Sequence, residues 1–282
     1  MYKSLMPELL SLSADLPRAI EMASRYGFDG VDTGSGTLAD PSLDIGTVRD
    51  LLQQNGVRPG YFGLAPGRVP VPEDDWQTAV AGLPLVARNA RALGFTRAAL
   101  VVLPFHETLT FDDAFSEHVR RLNEIMPILD DHAVALALEY VAAPSRRAPY
   151  SNHFVYDLAG MLRLCEATDS PNVGILLDSF HWHGASETVA DLELLTPEKI
   201  VVVHVNDAPD LPLDEQTIGN RALPGATGVI DIRGFMGALK TVGYDGPITC
   251  EPMAGAIRAI SETGNESVIL SAVSASLDAI MP

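Results

Sequence analysis

Only two cysteines occur in 282 residues, Cys165 and Cys250, and both lie in apolar stretches rather than at the spacing of a disulfide or zinc framework. Two packed free thiols in a reducing compartment are expected. No run of 18 or more apolar residues is present, and the N-terminal MYKSLMPELLSLSADLPRA lacks the basic, apolar, small-residue succession of a secretory signal. Those absences lead to the expectation of a cytoplasmic protein with no membrane partner. Basic residues are scarce as well. Nineteen Lys and Arg against 37 Asp and Glu leave a net charge of −18, which repels a phosphate backbone and argues against a nucleic-acid partner. Most of the excess acid is expected on a solvated surface, although it also makes the protein hospitable to cations.

Low-complexity tracts, charge blocks and Gly/Ser linkers are missing too, so organisation has to be read from periodicity. Hydrophobic side chains make up 47%, enough for a substantial core, and one domain over residues 1–282 is expected. The segments RYGFDGVDTG, QNGVRPGYFG, ALGFTRAALVVL and TVGYDGPITCE share a weak repeat. Each reads as a helix tail, a glycine suited to a left-handed C-cap, a tight turn and an apolar or β-branched run. On that basis strands fall near 4–11, 29–33, 57–64, 97–103, 134–140, 173–178, 200–205 and 247–252. Amphipathic helices fall near 15–26, 44–54, 76–93, 113–131, 157–168, 187–195, 231–241 and 264–280. Eight alternating units imply parallel pairing and closure into an α/β fold, the (β/α)8 TIM barrel. The rival is an open doubly wound sheet, but no G-x-G-x-x-G follows the first strand. Length is concentrated after strands, in PFHETLTFDD, VAAPSRRAPYSNHFVYD and NDAPDLPLDEQTIGNRALPGATGVID. That places the functional face at the carboxyl ends of the strands, where long loops also offer surfaces for a homo-oligomer.

Four polar residues interrupt apolar, β-rich runs at that face: Glu139 in VALALEYV, Asp178 in VGILLDSF, His204 in IVVVHVND and Glu251 in PITCEPM. A single acid at a strand end is commonly just a polar terminus. Four on strands five to eight, consecutive around a barrel wall, converge on one point. Three carboxylates and an imidazole suit one divalent metal ion, Mn²⁺, Mg²⁺, Co²⁺ or Zn²⁺, with positions open for substrate or water, and the absence of cysteine ligands argues against a structural zinc. His181, in DSFHWHGA, either reaches the same site or satisfies a backbone carbonyl. Arg221, in GNRALPGATG, either clamps a substrate oxygen or is a surface arginine. His106 and His153 are weaker candidates. Asp207 is expected to orient His204 or Arg221, Trp182 to form an apolar wall beside the site, and Trp76 to sit at a helix start.

The succession LEYV, LLDSFHWH, VVVHVND, R-x-x-PGATGVID and ITCEPM resembles the xylose-isomerase-like TIM barrels, the sugar phosphate isomerase/epimerase family. The stretch from HVNDAPDLP to PGATGVID is similar to keto-inositol isomerase-type members. Motifs are dense from Leu136 to Met253, whereas the first hundred residues match in architecture alone. The resemblance implies that Glu139, Asp178, His204 and Glu251 hold the metal, that Glu139 and Glu251 are also the catalytic acid/base pair, and that His181 and Arg221 bind substrate oxygens. It implies a metal-dependent isomerase or epimerase of carbohydrate metabolism, manganese among its metals, acting on a small polyhydroxy ketone such as a ketose or inosose through an enediolate.

A dehydratase or lyase acting on a cyclic hydroxy-acid or keto-polyol is the alternative, since the same enediolate can expel a β-hydroxyl. An abasic-site endonuclease resembles this fold too, but needs further histidines: strand three ends in YFGL, and Asp231 and Arg233 stand where an Asp-x-His pair is expected. A non-catalytic sugar-binding barrel would not need all four ligand types. The loops around Arg146, His153 and Arg221 are expected to set substrate identity. A non-phosphorylated substrate is expected, because few basic residues lie near the site and no Gly-rich cradle is evident.

Overall fold

The computed structural model describes residues 1–282, and the chain alternates strand and helix from end to end. β1 (Tyr2–Leu5) leads through α1 (Leu16–Arg25) to β2 (Gly30–Gly34), and α2 (Ser35–Leu38) and α3 (Ile45–Asn55) precede β3 (Arg58–Val69). Next come α4 (Glu73–Leu93), β4 (Arg97–Val102), α5 (Phe111–Asp131) and β5 (Ala135–Tyr140). α6 (Pro144–Arg147) and α7 (Leu158–Glu166) lead to β6 (Val173–Asp178), and α8 (Ser179–Gly184) and α9 (Val189–Leu192) to β7 (Ile200–Val205). α10 (Ile232–Val242), β8 (Pro247–Cys250), α11 (Met253–Ile260) and α12 (Glu266–Ile280) close the chain. Neighbouring strands are parallel and β8 pairs with β1, so the sheet closes into the (β/α)8 barrel and the open-sheet alternative is excluded.

The joints form for the reason read from the sequence. Gly27, Gly56, Gly94 and Gly243 all take left-handed backbone, at φ of 76, 64, 90 and 88°, which lets each helix end and the chain turn directly into a strand. At the other helix ends, Asp15, Asp44, Asp157 and Asp231 accept the N–H of the residue three places on, each cap contributing about 1 kcal/mol. Part of the acidic excess is therefore structural. Asp231, at the position compared with an Asp-x-His pair, is such a cap.

Several elements differ from expectation: β3 runs on to Val69 rather than ending near 64, and the short helices α2, α6 and α8 lie in segments where no helix was expected. β1 ends at Leu5, not near residue 11, because Pro7 has no N–H for the sheet and opens a 3-10 turn over Pro7–Leu10. The helix expected over 187–195 is the single turn α9: Thr188 and Asp191 cap its start, and a second short turn begins at Pro197. α11, in a segment read as loop, follows Glu251 directly.

Two apolar regions form. A cluster of 69 buried residues lies between barrel and helices, and a smaller one, Tyr61, Ala99, Ala137, Leu176, Val201 and Val202, fills the barrel itself. Side chains alternate along a strand, so Glu139, Asp178 and His204 stand two residues above Ala137, Leu176 and Val202. Below them Asp32 accepts hydrogen bonds from Ser4 Oγ, Thr249 Oγ1 and the Tyr61 N–H. A Cβ at Gly60 would fall 1.9 Å from Asp32 Oδ1, so no side chain is admitted there. Cys165 and Cys250 are buried and free, as expected. No helix is long and apolar enough to cross a membrane.

Candidate metal centre

Barrel tilt brings the four polar residues to one level. In the sheet register Glu139 pairs with Leu176, two residues short of Asp178; Asp178 pairs with His204; and His204 pairs with Thr249, two residues short of Glu251. Those two-residue steps are the stagger that closing a barrel demands. One donor atom from each of Glu139, Asp178, His204 and Glu251 lies within 4.8 Å of all the others. An ion bound at about 2.0–2.2 Å to each would hold its ligands roughly 3–4.4 Å apart.

The hydrogen bonds leave ligand atoms free toward that point. Asp178 Oδ1 accepts from the backbone N–H of Phe180 (2.7 Å) and His181 (3.1 Å), capping α8, so Oδ2 faces the cluster. There it accepts from Asn206 Nδ2 at 3.0 Å and Arg221 Nη1 at 3.1 Å. His204 Nε2 stands 2.8 Å from the Tyr61 hydroxyl, which itself donates to Met6 Sδ at 3.2 Å. The Tyr61 oxygen is thus an acceptor for the Nε2 proton, which leaves Nδ1 as the ring nitrogen that faces the cluster, 3.4 Å from Glu251 Oε2. Nδ1 is buried and without a hydrogen-bond partner, as is Glu139 Oε1. A buried imidazole nitrogen and a buried carboxylate oxygen, both without a hydrogen-bond partner and both in a nest of carboxylates, fit a cation. Tyr61→Phe keeps the ring but loses this acceptor. Divalent-ion affinity is expected to fall about tenfold with the fold unchanged, as checked by competition with a fluorescent chelator and circular dichroism.

Protein groups alone leave the cluster short of positive charge. Burial, reinforced by Glu251 and Asp178, pushes the Glu139 carboxyl up to about 8. Burial also raises Asp178, against the pull of Arg221. Burial works upward on Glu251 as well, but Arg221 and His204 outweigh it and hold it well below the usual carboxylate range. His204 would be depressed by burial, yet the surrounding carboxylates hold it up at about 9. These opposed shifts on adjacent groups mark a built site rather than a row of strand ends.

Arg221 and His181 both reach it. The Arg221 guanidinium is 3% exposed and lies over the Phe180 ring at 4.9 Å. Its Nη1 is shared between Asp178 Oδ2 and Glu251 Oε2, and its Nη2 is 2.9 Å from His181 Nε2. The surface-arginine alternative does not hold. His181 Nδ1 stands 3.2 Å from the Ala142 N–H, and its Nε2, which faces the Arg221 donor, lies 3.9 Å from Glu139 Oε1. Burial, seconded by Arg221, keeps the ring neutral. A cavity of about 310 Å³ opens over these groups, lined also by Arg68, Val101, Leu103, Val141, Arg146 and Met253.

Other expectations need correction. Asp207 touches neither His204 nor Arg221; it accepts the backbone N–H groups of Thr227, Gly228 and Ile230, and so orders the loop that follows Arg221. Asn206, one residue earlier, is the side chain that holds Asp178. Trp182 packs on Phe235 in the outer layer and donates to the Thr188 carbonyl, so it forms no wall of the chamber. His153 is bridged to Phe105 outside the chamber, and His106 accepts the N–H groups of Thr108 and Leu109. Trp76 lies in the first turn of α4, as expected. Tyr61 and Arg68 were not singled out by sequence reasoning, because neither stands at the end of a clean apolar run.

Comparison with known proteins agrees with this architecture. A family described as xylose isomerase-like TIM barrel matches residues 20–267. An inosose isomerase of Halalkalibacterium halodurans is 24% identical over 244 residues, covering 85% of this chain and 83% of that protein. A 3-dehydroshikimate dehydratase of Pseudomonas aeruginosa is 26% identical over 273 residues, 91% of this chain but 39% of that longer protein. Among solved structures, the IOLI protein with a bound zinc atom superposes with a TM-score of 0.79 at 20% identity, over 99% of this chain and 98% of that one, which shows the shared fold.

Proposed function

The chain belongs to the xylose isomerase-like TIM barrel family, and from that premise we propose that it is a divalent-metal-dependent isomerase or epimerase of a small polyhydroxy ketone, a ketose or an inosose. The observation that carries this reading is the convergence of Glu139, Asp178, His204 and Glu251 within 4.8 Å at the barrel mouth. A chamber of about 310 Å³ above them suits a small polyol. The similarity to an inosose isomerase supports the substrate class.

Glu139, Asp178, His204 and Glu251 would hold one ion, with Mn²⁺, Mg²⁺, Co²⁺ and Zn²⁺ all compatible with an O₃N donor set and Mn²⁺ our first choice. When bound, such an ion polarises a ketone oxygen and the neighbouring hydroxyl, acidifying the C–H between them and stabilising the enediolate. The chain's own residues do the rest. Glu139 and Glu251 come from the two ends of the four-strand arc, so they flank whatever lies between. One removes the proton and the other returns it, to the opposite face of the same carbon in epimerisation or to the adjacent carbon in isomerisation. The Arg221 guanidinium and the His181 ring both face the chamber and serve the substrate's oxygens. Tyr61, Asn206 and the backbone of α8 hold the ligands in place.

We assign this activity to one domain over residues 1–282, since a single apolar cluster runs from Leu5 to Ile280. A reducing cytoplasmic compartment accords with the two buried free thiols. The similarity to a dehydratase favours one second reading, in which the same enediolate loses a β-hydroxyl. Incubating the Mn²⁺-loaded protein with ketoses and inososes in deuterated water separates the two by NMR. Deuterium at the carbon next to the carbonyl without loss of water is the expected result. A conjugated, ultraviolet-absorbing product would replace isomerisation by dehydration, and no exchange into any member of the panel would remove both.

A further inference from the structure

We propose that the mouth of the metal chamber carries an anion subsite, formed by Arg68 and Arg146, for a carboxylate or phosphate borne by the polyhydroxy ketone several bonds from its carbonyl. This deepens, and rests on, the reading of the chamber as a metal-dependent isomerase site. Beside the inner chamber lies an outer one of about 570 Å³, lined by Pro70, Phe105, His106 and Tyr150 among others. Arg68, Leu103 and Arg146 line both, so the two arginines stand at the neck between them.

Backbone register puts Arg68 there. Pairing of β3 with β4 is interrupted after Gly63 and resumes with Arg68 opposite Val101, and Val101 is in turn opposite Glu139 on β5. Residues in register across parallel strands point to the same side of the sheet, so Arg68 faces inward with Glu139, two strand spacings or about 10 Å away. The strand overhangs the barrel rim by the residues that follow the interruption, and it carries a guanidinium over the mouth. Arg146 reaches the same neck from α6, in the loop after β5.

Neither guanidinium is matched by a carboxylate, although the chain holds 37 acids against 19 bases. Arg120 and Arg121 pair with Glu117 and Glu73, Arg18 with Glu266, and Lys3 with Asp278, whereas Arg68 and Arg146 are exposed and, like most of the other basic residues, form no ion pair; what sets these two apart is that both line the two chambers. Near the site, Arg221 already lies against Asp178 and Glu251 deep in the inner chamber, and Arg147 lies over the Tyr156 ring at 4.0 Å. Glu107 is the one carboxylate lining the outer chamber, and it does not line the inner one or the neck. Two uncommitted arginines at the entrance to an otherwise acidic pocket answer to a substrate anion, and a forked guanidinium matches both carboxylate and phosphate oxygens. Arg68 lies beyond the strand expected over 57–64, and a phosphate at this subsite would depart from the expectation of a non-phosphorylated substrate.

The test is calorimetric, on the Mn²⁺-loaded protein and on the R68Q/R146Q double variant. Each receives two pairs of probes: D-fructose 6-phosphate with D-fructose, and 3-dehydroshikimate with a neutral inosose. At least one anionic probe is expected to bind about tenfold more tightly than its neutral partner, with that preference lost in the double variant. The tighter of the two anionic probes identifies phosphate or carboxylate as the natural group. Equal binding of charged and neutral probes overturns the subsite, as does a preference that survives in the variant. Deuterium exchange in the wild-type protein is followed alongside. Exchange into a neutral ketose without any anion preference removes the subsite and leaves the isomerase reading; a preference without exchange into any ketose does the reverse.

Discussion

Replacing Glu251 by Gln is expected to lower turnover by about three to four orders of magnitude while the barrel stays folded. Gln preserves the volume and one oxygen of the side chain but can neither take a proton nor supply the negative charge on which Arg221 and the His204 ring converge. Loss of a positioned general base costs roughly 10²–10⁴-fold, and weakened ion binding adds to it. Glu139→Gln is expected to act similarly, with a different residue of activity. The variant that keeps the proton-abstracting glutamate still exchanges substrate hydrogen with solvent, whereas the variant that lacks it does not. Steady-state rates, solvent-exchange NMR and circular dichroism on both proteins check this. Activity within tenfold of the parent in either one would falsify the division of labour between the two glutamates.

How far the sequence discloses this site depends on how regular each strand is. β5 to β8 are clean apolar runs with short joints, so their ends, and with them Glu139, Asp178, His204 and Glu251, could be numbered from composition and alternation alone. β3 is different. Its pairing breaks after Gly63 and resumes at Arg68, so no periodicity carries to the arginine at the neck, while Tyr61, which holds His204, stands inside the expected strand rather than at its end. Asp207 shows a second limit. Proximity in sequence to His204 does not tell which way a residue beyond the strand turns, and the unpaired N–H groups of Thr227, Gly228 and Ile230 drew its carboxylate into the loop. The strand expected over 4–11 is too long because SLMPELL is apolar apart from Ser4 and Glu8, and the missing N–H of Pro7 marks its end.

Arg221 yields the second large effect, on stability rather than rate. Its guanidinium and a divalent ion are alternative sources of positive charge for the same oxygens, Asp178 Oδ2 and Glu251 Oε2. Both carboxylates are held in the barrel mouth, Asp178 with no exposure at all. In the presence of a chelator, Arg221→Leu therefore leaves two carboxylates beside Glu139 with no guanidinium, at a cost of about 3–5 kcal/mol. For a chain of this size that lowers the melting temperature by on the order of 10 °C. Saturating Mn²⁺ then supplies the missing charge, and without a competing guanidinium it binds more tightly. At a thousandfold excess over its dissociation constant an ion contributes about 4 kcal/mol to the folded state, comparable to the loss. The expected result is a melting temperature that drops sharply in chelator and recovers with Mn²⁺ by a larger increment than in the parent. Arg221→Lys, which keeps a charge, is expected to fall between them. An Arg221→Leu protein as stable in chelator as the parent, or one that gains no more from Mn²⁺ than the parent does, means that guanidinium and ion do not share these oxygens.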